Sequence, residues 1–364
     1  MGKRRLGDGE NPCVSMSPAL RVFPYMRILF IGTGDIGIPA LQSLAASSEN
    51  LLIGVITQPD KPVGRHQELQ ASPIKNVAIR HGIAVFQPDR IREPSAIARI
   101  QDLKPDVIVV MAYGQILPRA VLDAPALACL NLHASLLPRH RGAAPVQAAI
   151  ESGDRESGIT VMHIAEGLDT GDIFLSKSIP IRRRETGGSL HDRLALLAPE
   201  ALAEALALIG QGTIPRTPQV SSLSQPSLVP AERSVAGTLN SQLLPPPTYA
   251  AKLTRENGHI DWRAGAGVID RKIRAMNPWP AAFTTFHGTG GHWLKLKIFT
   301  AIVCRKKSGL PGEVLCADRN GILVGAGEGA LLLREIQIEG KKRMSARDFL
   351  LGHPIALGAT LGES

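Results

Sequence analysis

The chain has 364 residues, enough for two domains with a core in each, and no apolar run reaches membrane-spanning length, so a globular class is expected. Its net charge of +9 is uneven: residues 250–364 carry 17 Lys/Arg against 10 Asp/Glu, which points to a polyanionic partner for the last third. Cys13, Cys129, Cys304 and Cys316 lie far apart and form no C-x-x-C pair, an argument against a zinc site and for a reducing, cytoplasmic compartment.

Residues 1–25 start with Lys3, Arg4 and Arg5 but hold no apolar core, so they do not read as a secretory signal. Asp8 and Glu10 count against an organelle transit peptide, and a disordered extension, or a translation start placed too early, is expected. "RILFI" at 27–31 reads as a buried strand leading into Gly32, Gly34 and Gly37, a literal G-x-G-x-x-G. A dinucleotide site also needs an acidic residue at the end of the second strand to hold the ribose. That strand, "LLIGVIT", ends at Thr57 and Gln58, and Asp60 follows too late. The glycines are therefore read as a tight strand-to-helix crossover.

"IPALQSLAA" has helical spacing, and Ser72–Pro73 caps a second helix, "PIKNVAIRHG". "DVIVVMAY" and "ACLNLH" are further strands. The alternation predicts an α/β domain over 26–212, a Rossmann-like doubly wound parallel sheet with helices on both faces. "GITVMHI" and "DIFLSKSIPI" are expected to form its antiparallel edge, followed by a long helix ending near Gly210 and Gly212. Arg182, Arg183 and Arg184 read as a solvated loop. Thr213–Thr248 carries seven prolines and reads as a Pro/Ser-rich linker. From 249 to 355 short strands recur at turn-punctuated spacing, with a helix early ("AGVIDRKIRAM") and another late ("SARDFLL"). A small, basic, OB-like β-barrel is expected there. Trp279, between two prolines, is read as a packing residue at the domain junction.

Chemistry concentrates in "CLNLHASLLPRHRGAAP" and "EGLDTGDI". Asn131 and His133 are two apart at a strand end and so share a face, where open α/β sheets place their ligands. Each alone has a bland reading, His133 as a structural histidine and Asp169 as a turn residue beside glycine. Together they form a stabiliser set without a nucleophile. Asn131 can donate through its amide and His133 through its ring to an oxyanion. Asp169 can hold His133 or act through water as a base. The chemistry this suits is acyl transfer without a covalent enzyme intermediate.

"NLHASLLPRHRGAAP" with "GLDTGD" resembles the signature of the formyltransferases that use 10-formyltetrahydrofolate as formyl donor. "GVITQPDKPVGR", "SPIK", "AYGQILP", "NPWP" and "GKKRMSARDFL" extend the likeness from Met26 to Leu351, apart from the linker, and resemble the branch that acts on methionyl initiator tRNA. The resemblance implies a catalytic trio of Asn131, His133 and Asp169 and needs no metal. It implies that Ser135, Leu136, Leu137 and Pro138, with Tyr113, Gly114, Ile116 and Leu117, border the tetrahydrofolate derivative. It also implies that Lys61 and Arg65 meet the tRNA acceptor stem, and that Lys341, Lys342 and Arg343 grip its backbone. The expected protein is a monomer without membrane contact. Three departures stand out: Ala134 where the family usually has glycine, His66, Gln67 and Glu68 where lysines often follow Gly-Arg, and a longer linker. A formyltransferase acting on a small amine and a formyltetrahydrofolate hydrolase share the same core and remain alternatives. A non-catalytic RNA-binding module would leave the trio without a purpose.

Overall fold

The computed structural model describes residues 25–63, 67–219, 246–288 and 292–362. The expected extension at the N-terminus lies almost wholly outside these residues, as do Arg65 and the middle of the linker. β1 (Met26–Gly32), β2 (Asn50–Ile56), a small hairpin of β3 (Lys61–Val63) and β4 (Glu68–Gln70), β5 (Val85–Phe86), β6 (Val107–Met111) and β7 (Ala128–His133) follow in order. The helices between them are α1 (Ile38–Ala45), α2 (Pro73–Arg80), α3 (Pro94–Asp102) and α4 (Arg119–Leu122). Then come β8 (Arg141–Gly142), α5 (Pro145–Ser152), β9 (Glu156–His163), β10 (Ile173–Pro180) and α6 (Gly187–Gly210).

The main sheet runs β10-β9-β7-β6-β1-β2-β5. It is parallel from β7 to β5 and antiparallel at β9 and β10. Alternation along the strands feeds two cores. Ile28 and Phe30 of β1 pack with α1, α2 and α6, while Leu29 and Ile31 pack on the opposite face with Ile100 of α3 and Val121 of α4. Both faces are thus buried, which is why the strands read as continuous apolar runs. The chain reverses direction across the sheet between β1 and β6, so their C-terminal ends open a crevice. Ser72 caps α2 as expected, its Oγ accepting from the Lys75 N–H at 3.1 Å.

The glycine turn after β1 does not present its amides to a phosphate. The N–H groups of Thr33 and Gly34 both donate to the Ala112 carbonyl, at 3.2 and 3.1 Å. Thr57 at the end of β2 is buried and bonded to Ser72, and Asp60 is paired with Lys75 at 2.7 Å. The hydrogen bond from Gln87, with that from Lys75, holds the Asp60 carboxyl below the usual range. The dinucleotide reading fails on geometry as well as on sequence.

The last third holds β11 (Tyr249–Ala250), α7 (Ala266–Ala275), β12 (Ala282–His287), β13 (Trp293–Cys304), β14 (Val314–Asp318), β15 (Gly321–Gly325), β16 (Ala330–Ile338), β17 (Met344–Ser345) and α8 (Ala346–Gly352). The small β domain is an antiparallel sheet, β12-β13-β16-β15-β14 with β17 on β16. Its core joins Leu296, Ile298 and Leu333 to Ile269 and Ile273 of α7 and Phe349 of α8. Trp279 differs from expectation: it is 54% exposed, while the neighbouring Pro280 takes the buried place. Arg182, Arg183 and Arg184 are exposed, in keeping with a solvated loop.

The Pro/Ser-rich segment is anchored at both described ends. Thr217 bridges to Ile173 at the start of β10, exchanging backbone bonds of 2.8 and 2.9 Å. β11 pairs in parallel with β8. Composition alone read the Thr217 end as linker because its partner, Ile173, lies dozens of residues away, whereas β11 begins just past the expected linker boundary.

Candidate active site

Cys129 of β7 points to the core shared with α3 and α4, so Asn131 and His133, two and four residues on, face the same way at the strand's C-terminal end. Burial pushes the Cys129 thiol up to about 12, which makes it an inert core residue. His133 is 6% exposed, and its Nε2 donates to the His140 carbonyl at 2.9 Å. That bond places one proton on Nε2 and turns Nδ1 toward Asp169, whose Oδ2 lies 3.6 Å away. The distance is too long for a direct hydrogen bond. Asp169 Oδ2 is held instead by the Gly142 N–H at 2.7 Å. Asn131 is half-buried, and its carboxamide has no partner among the described residues.

The loop after β7 braces itself. Ser135 is buried, its N–H donating to the His133 carbonyl at 2.9 Å and its Oγ to the Arg139 carbonyl at 2.7 Å. Thr160 Oγ1 donates to the Ser135 carbonyl at 2.7 Å and lies 3.1 Å from the Leu137 N–H. Leu137 packs with Met162 and Ile173, Pro138 is buried, and Leu136 is half-buried. Ala134 sits in the core, so its methyl is accommodated there. His140 then turns back with φ of +58°. Its Nε2 lies 2.7 Å from Asp154 Oδ2, and its backbone N–H donates to Thr248 Oγ1 at 2.8 Å.

On the far side of the crevice the segment after β6 alternates. Tyr113 is 3% exposed and Leu117 is buried, while Ala112, Gly114 and Ile116 are open, Ile116 at 86%. The Tyr113 carbonyl accepts from Gln58 Nε2 at 2.6 Å. Burial lifts the Tyr113 hydroxyl to about 12, and that hydroxyl has no partner among the described residues. Among the described residues, six other than glycine have positive φ, and three of these, Ala112, His140 and Asp169, border this crevice. Such outliers concentrate where a functional geometry is imposed on the backbone.

The structure therefore brings Asn131, His133 and Asp169 together and sets the segment from Ala112 to Leu117 at the neighbouring strand end. The sequence reading missed the supporting groups His140, Asp154, Gly142, Arg141 and Gln219. Glycine in a Pro/Gly/Arg-rich loop was the one available signal, for Gly142. Of the cations assigned to tRNA, Lys61 is exposed and bonded to Gln58 at 2.8 Å, and Lys341 and Lys342 are exposed. Arg343 pairs with Glu335 and lies over the Phe299 ring at 4.3 Å. No described helix is long and apolar enough to cross a membrane.

Comparison with known proteins places these features in context. The chain is 46% identical to the methionyl-tRNA formyltransferase of Methylacidiphilum infernorum over 93% of its own length and 98% of that protein. It is equally identical to the methionyl-tRNA formyltransferase of Akkermansia muciniphila, over 90% of its length and 97% of that one. The crystal structure of WlaRD, a sugar 3N-formyl transferase, shares the fold with a TM-score of 0.59 at 17% identity, covering 87% of this chain and 99% of that one. The formyl transferase model matches residues 26–206 and the formyl transferase C-terminal domain model residues 252–354, so the chain belongs to the formyl transferase family.

Proposed function

We propose that this chain transfers the formyl group of 10-formyltetrahydrofolate to the amino group of methionyl initiator tRNA. The observation that carries the chemistry is the Asn131 carboxamide, without a partner among the described residues, beside His133 and Asp169 at the end of β7. The near full-length match to methionyl-tRNA formyltransferases carries the acceptor. The residues present fit a folate. The open strip of Ala112, Gly114 and Ile116 gives a flat group apolar and backbone surface, and the 134–138 loop closes the side nearest His133. The bound folate supplies an activated formyl carbon.

The chain's own groups do the rest. Asn131 donates to the formyl oxygen, where negative charge grows as the amine adds. His133 has its Nε2 committed to the His140 carbonyl, so the Nδ1 edge is the one that serves the reaction. In the neutral ring Nδ1 is an acceptor and takes the proton the amine loses. Asp169, 3.6 Å away, stabilises the imidazolium this makes. The protonated Nδ1 then donates to the oxyanion and returns the proton to the departing folate nitrogen. A free α-amine titrates near pH ~8 or below, so the base has modest work to do at neutral pH. Ser135, Leu136, Leu137 and Pro138 border the folate chiefly through backbone. Lys61, Lys341 and Lys342 stand as exposed cations for tRNA phosphates, whereas Arg343 must first leave Glu335. Arg65 lies outside the described residues.

The test is formylation of methionyl initiator tRNA by purified protein with 10-formyltetrahydrofolate, free methionine and water serving as rival acceptors. Formylmethionyl-tRNA should accumulate, and His133→Ala should be slower by about 10²–10⁴-fold, the usual worth of a positioned acid–base group. Folate turnover without formylated tRNA would pass the assignment to a small-amine transferase or a hydrolase.

A further inference from the structure

The linker that the sequence singled out has an end built into the site. Gln219 uses its whole side-chain amide there. Its Nε2 donates to the Asp169 carbonyl at 3.0 Å and the Gly171 carbonyl at 2.7 Å. Its Oε1 accepts from Arg141 Nε at 3.1 Å and Nη2 at 2.7 Å. Arg141 is 4% exposed and directly precedes Gly142, the residue whose N–H holds Asp169 Oδ2. The two loops facing each other across Asp169 are thus tied twice, once through the carboxylate and once through Gln219. The neighbouring residues fix the strap that carries it. Thr217 bridges to Ile173, the Pro215 carbonyl accepts from His163 Nε2 at 3.0 Å, and Arg216 lies 3.6 Å from Asp172. Burial holds the His163 imidazole below its usual value.

We infer that Gln219 is a positioning residue for formyl transfer: it clasps the Asp169 loop to Arg141 and so sets the distance between Asp169 and His133. This rests on the reading of Asp169 and His133 given above. The carboxylate sits on a loop residue with φ of +51°, in a nine-residue turn between β9 and β10 whose Asp169 and Gly171 carbonyls are tied to Arg141 through Gln219. Misplacement of a reacting group by an ångström costs up to about 10²-fold in rate.

Three substitutions separate positioning from adhesion. Gln219→Met keeps length and loses every hydrogen bond. Gln219→Glu strengthens the contact with Arg141 but sets a carboxylate against two carbonyl oxygens. Gln219→Ala removes the clasp. In variants that melt as native proteins, kcat should fall by about 10- to 100-fold, the range for a displaced group. KM for tRNA and for folate should move by less than about 2-fold, as expected when only transition-state interactions are lost. In an Asp169→Asn background the same substitutions should add little, because the two residues act as a unit.

Wild-type kcat in Gln219→Ala or Gln219→Met would overturn the inference, as would wild-type kcat in Gln219→Glu, since adhesion to Arg141 alone would then suffice. Full additivity with Asp169→Asn, or failure of all three variants to fold, would assign Gln219 a purely structural role and overturn it too. Wild-type turnover in Asp169→Asn itself would bring down the site reading and this inference together. An impaired Asp169→Asn beside intact Gln219 variants would remove the inference alone.

Discussion

Asn131 carries a polar carboxamide that no described group engages, in a strand whose neighbours Leu130 and Leu132 are sealed in the core. The amide is open to solvent rather than buried, so it costs the fold little and stands free to donate to a ligand. Replacing Asn131 with alanine removes no bond to any described residue and should leave the melting temperature unchanged. The kcat for formylation should fall by about 10²–10³-fold, the loss seen when one oxyanion donor is removed. Steady-state kinetics beside a thermal melt checks both halves, and wild-type turnover would end the assignment. The same residue shows what a strand pattern can convey: alternation from Cys129 placed Asn131 and His133 on one face. It could not say which ring nitrogen of His133 is free, because the partner of Nε2 is a backbone carbonyl seven residues away on a positive-φ turn.

At the scale of elements, β8 is two residues long yet carries much of the site. Its Gly142 has φ of +109°, and an added Cβ would sit 2.5 Å from the Ala250 carbonyl on β11. Glycine is required on both counts, conformation and close approach. Gly142→Ala should cost about 1–3 kcal/mol of stability, the range for backbone forced into sparse φ/ψ space. It should also loosen the N–H that holds Asp169, so kcat should fall further than the melting temperature alone explains. A variant equally stable and active would show that β8 and β11 are not bound as tightly as the register implies. The parallel sheet, its antiparallel edge and the capped α2 were all legible, because each follows from local spacing. The clasp formed by β8, β11 and residues 215–219 was not. Prolines and serines there signal the absence of a regular element, and the bonds that order them run to His140, Arg141 and Ile173.

For the molecule as a whole, the question is how a basic C-terminal third assists chemistry at the end of β7. The two parts meet through specific bonds. The Gly188 N–H donates to the Asn277 carbonyl at 2.9 Å, Arg274 Nη1 to the Glu185 carbonyl at 3.0 Å, and Arg271 Nε to the Glu151 carbonyl at 3.1 Å. Burial pushes the Glu185 carboxyl up, but hydrogen bonds from Ser189 and the Arg182 N–H, together with the Arg193 partner, outweigh it and hold the carboxyl below its usual value, anchoring the start of α6 at this junction. A junction of this kind keeps the exposed Lys341 and Lys342 at a set distance from the crevice, so on the proposed function phosphate contacts there would orient the acceptor rather than merely attract it. The consequence is a salt dependence confined to one substrate. With about three phosphate contacts, a fourfold rise in salt should raise the KM for tRNA roughly 40-fold. The KM for folate should change little, because the surface proposed for it consists of backbone and apolar groups. Lys341→Ala with Lys342→Ala should lower the slope of log KM against log salt by about 2, one unit per lost contact, with kcat at saturating tRNA preserved. KM for tRNA measured from 50 to about 200 mM salt decides it. A flat profile would mean that the acceptor is held without the C-terminal cations, and that the charge on this third serves another purpose.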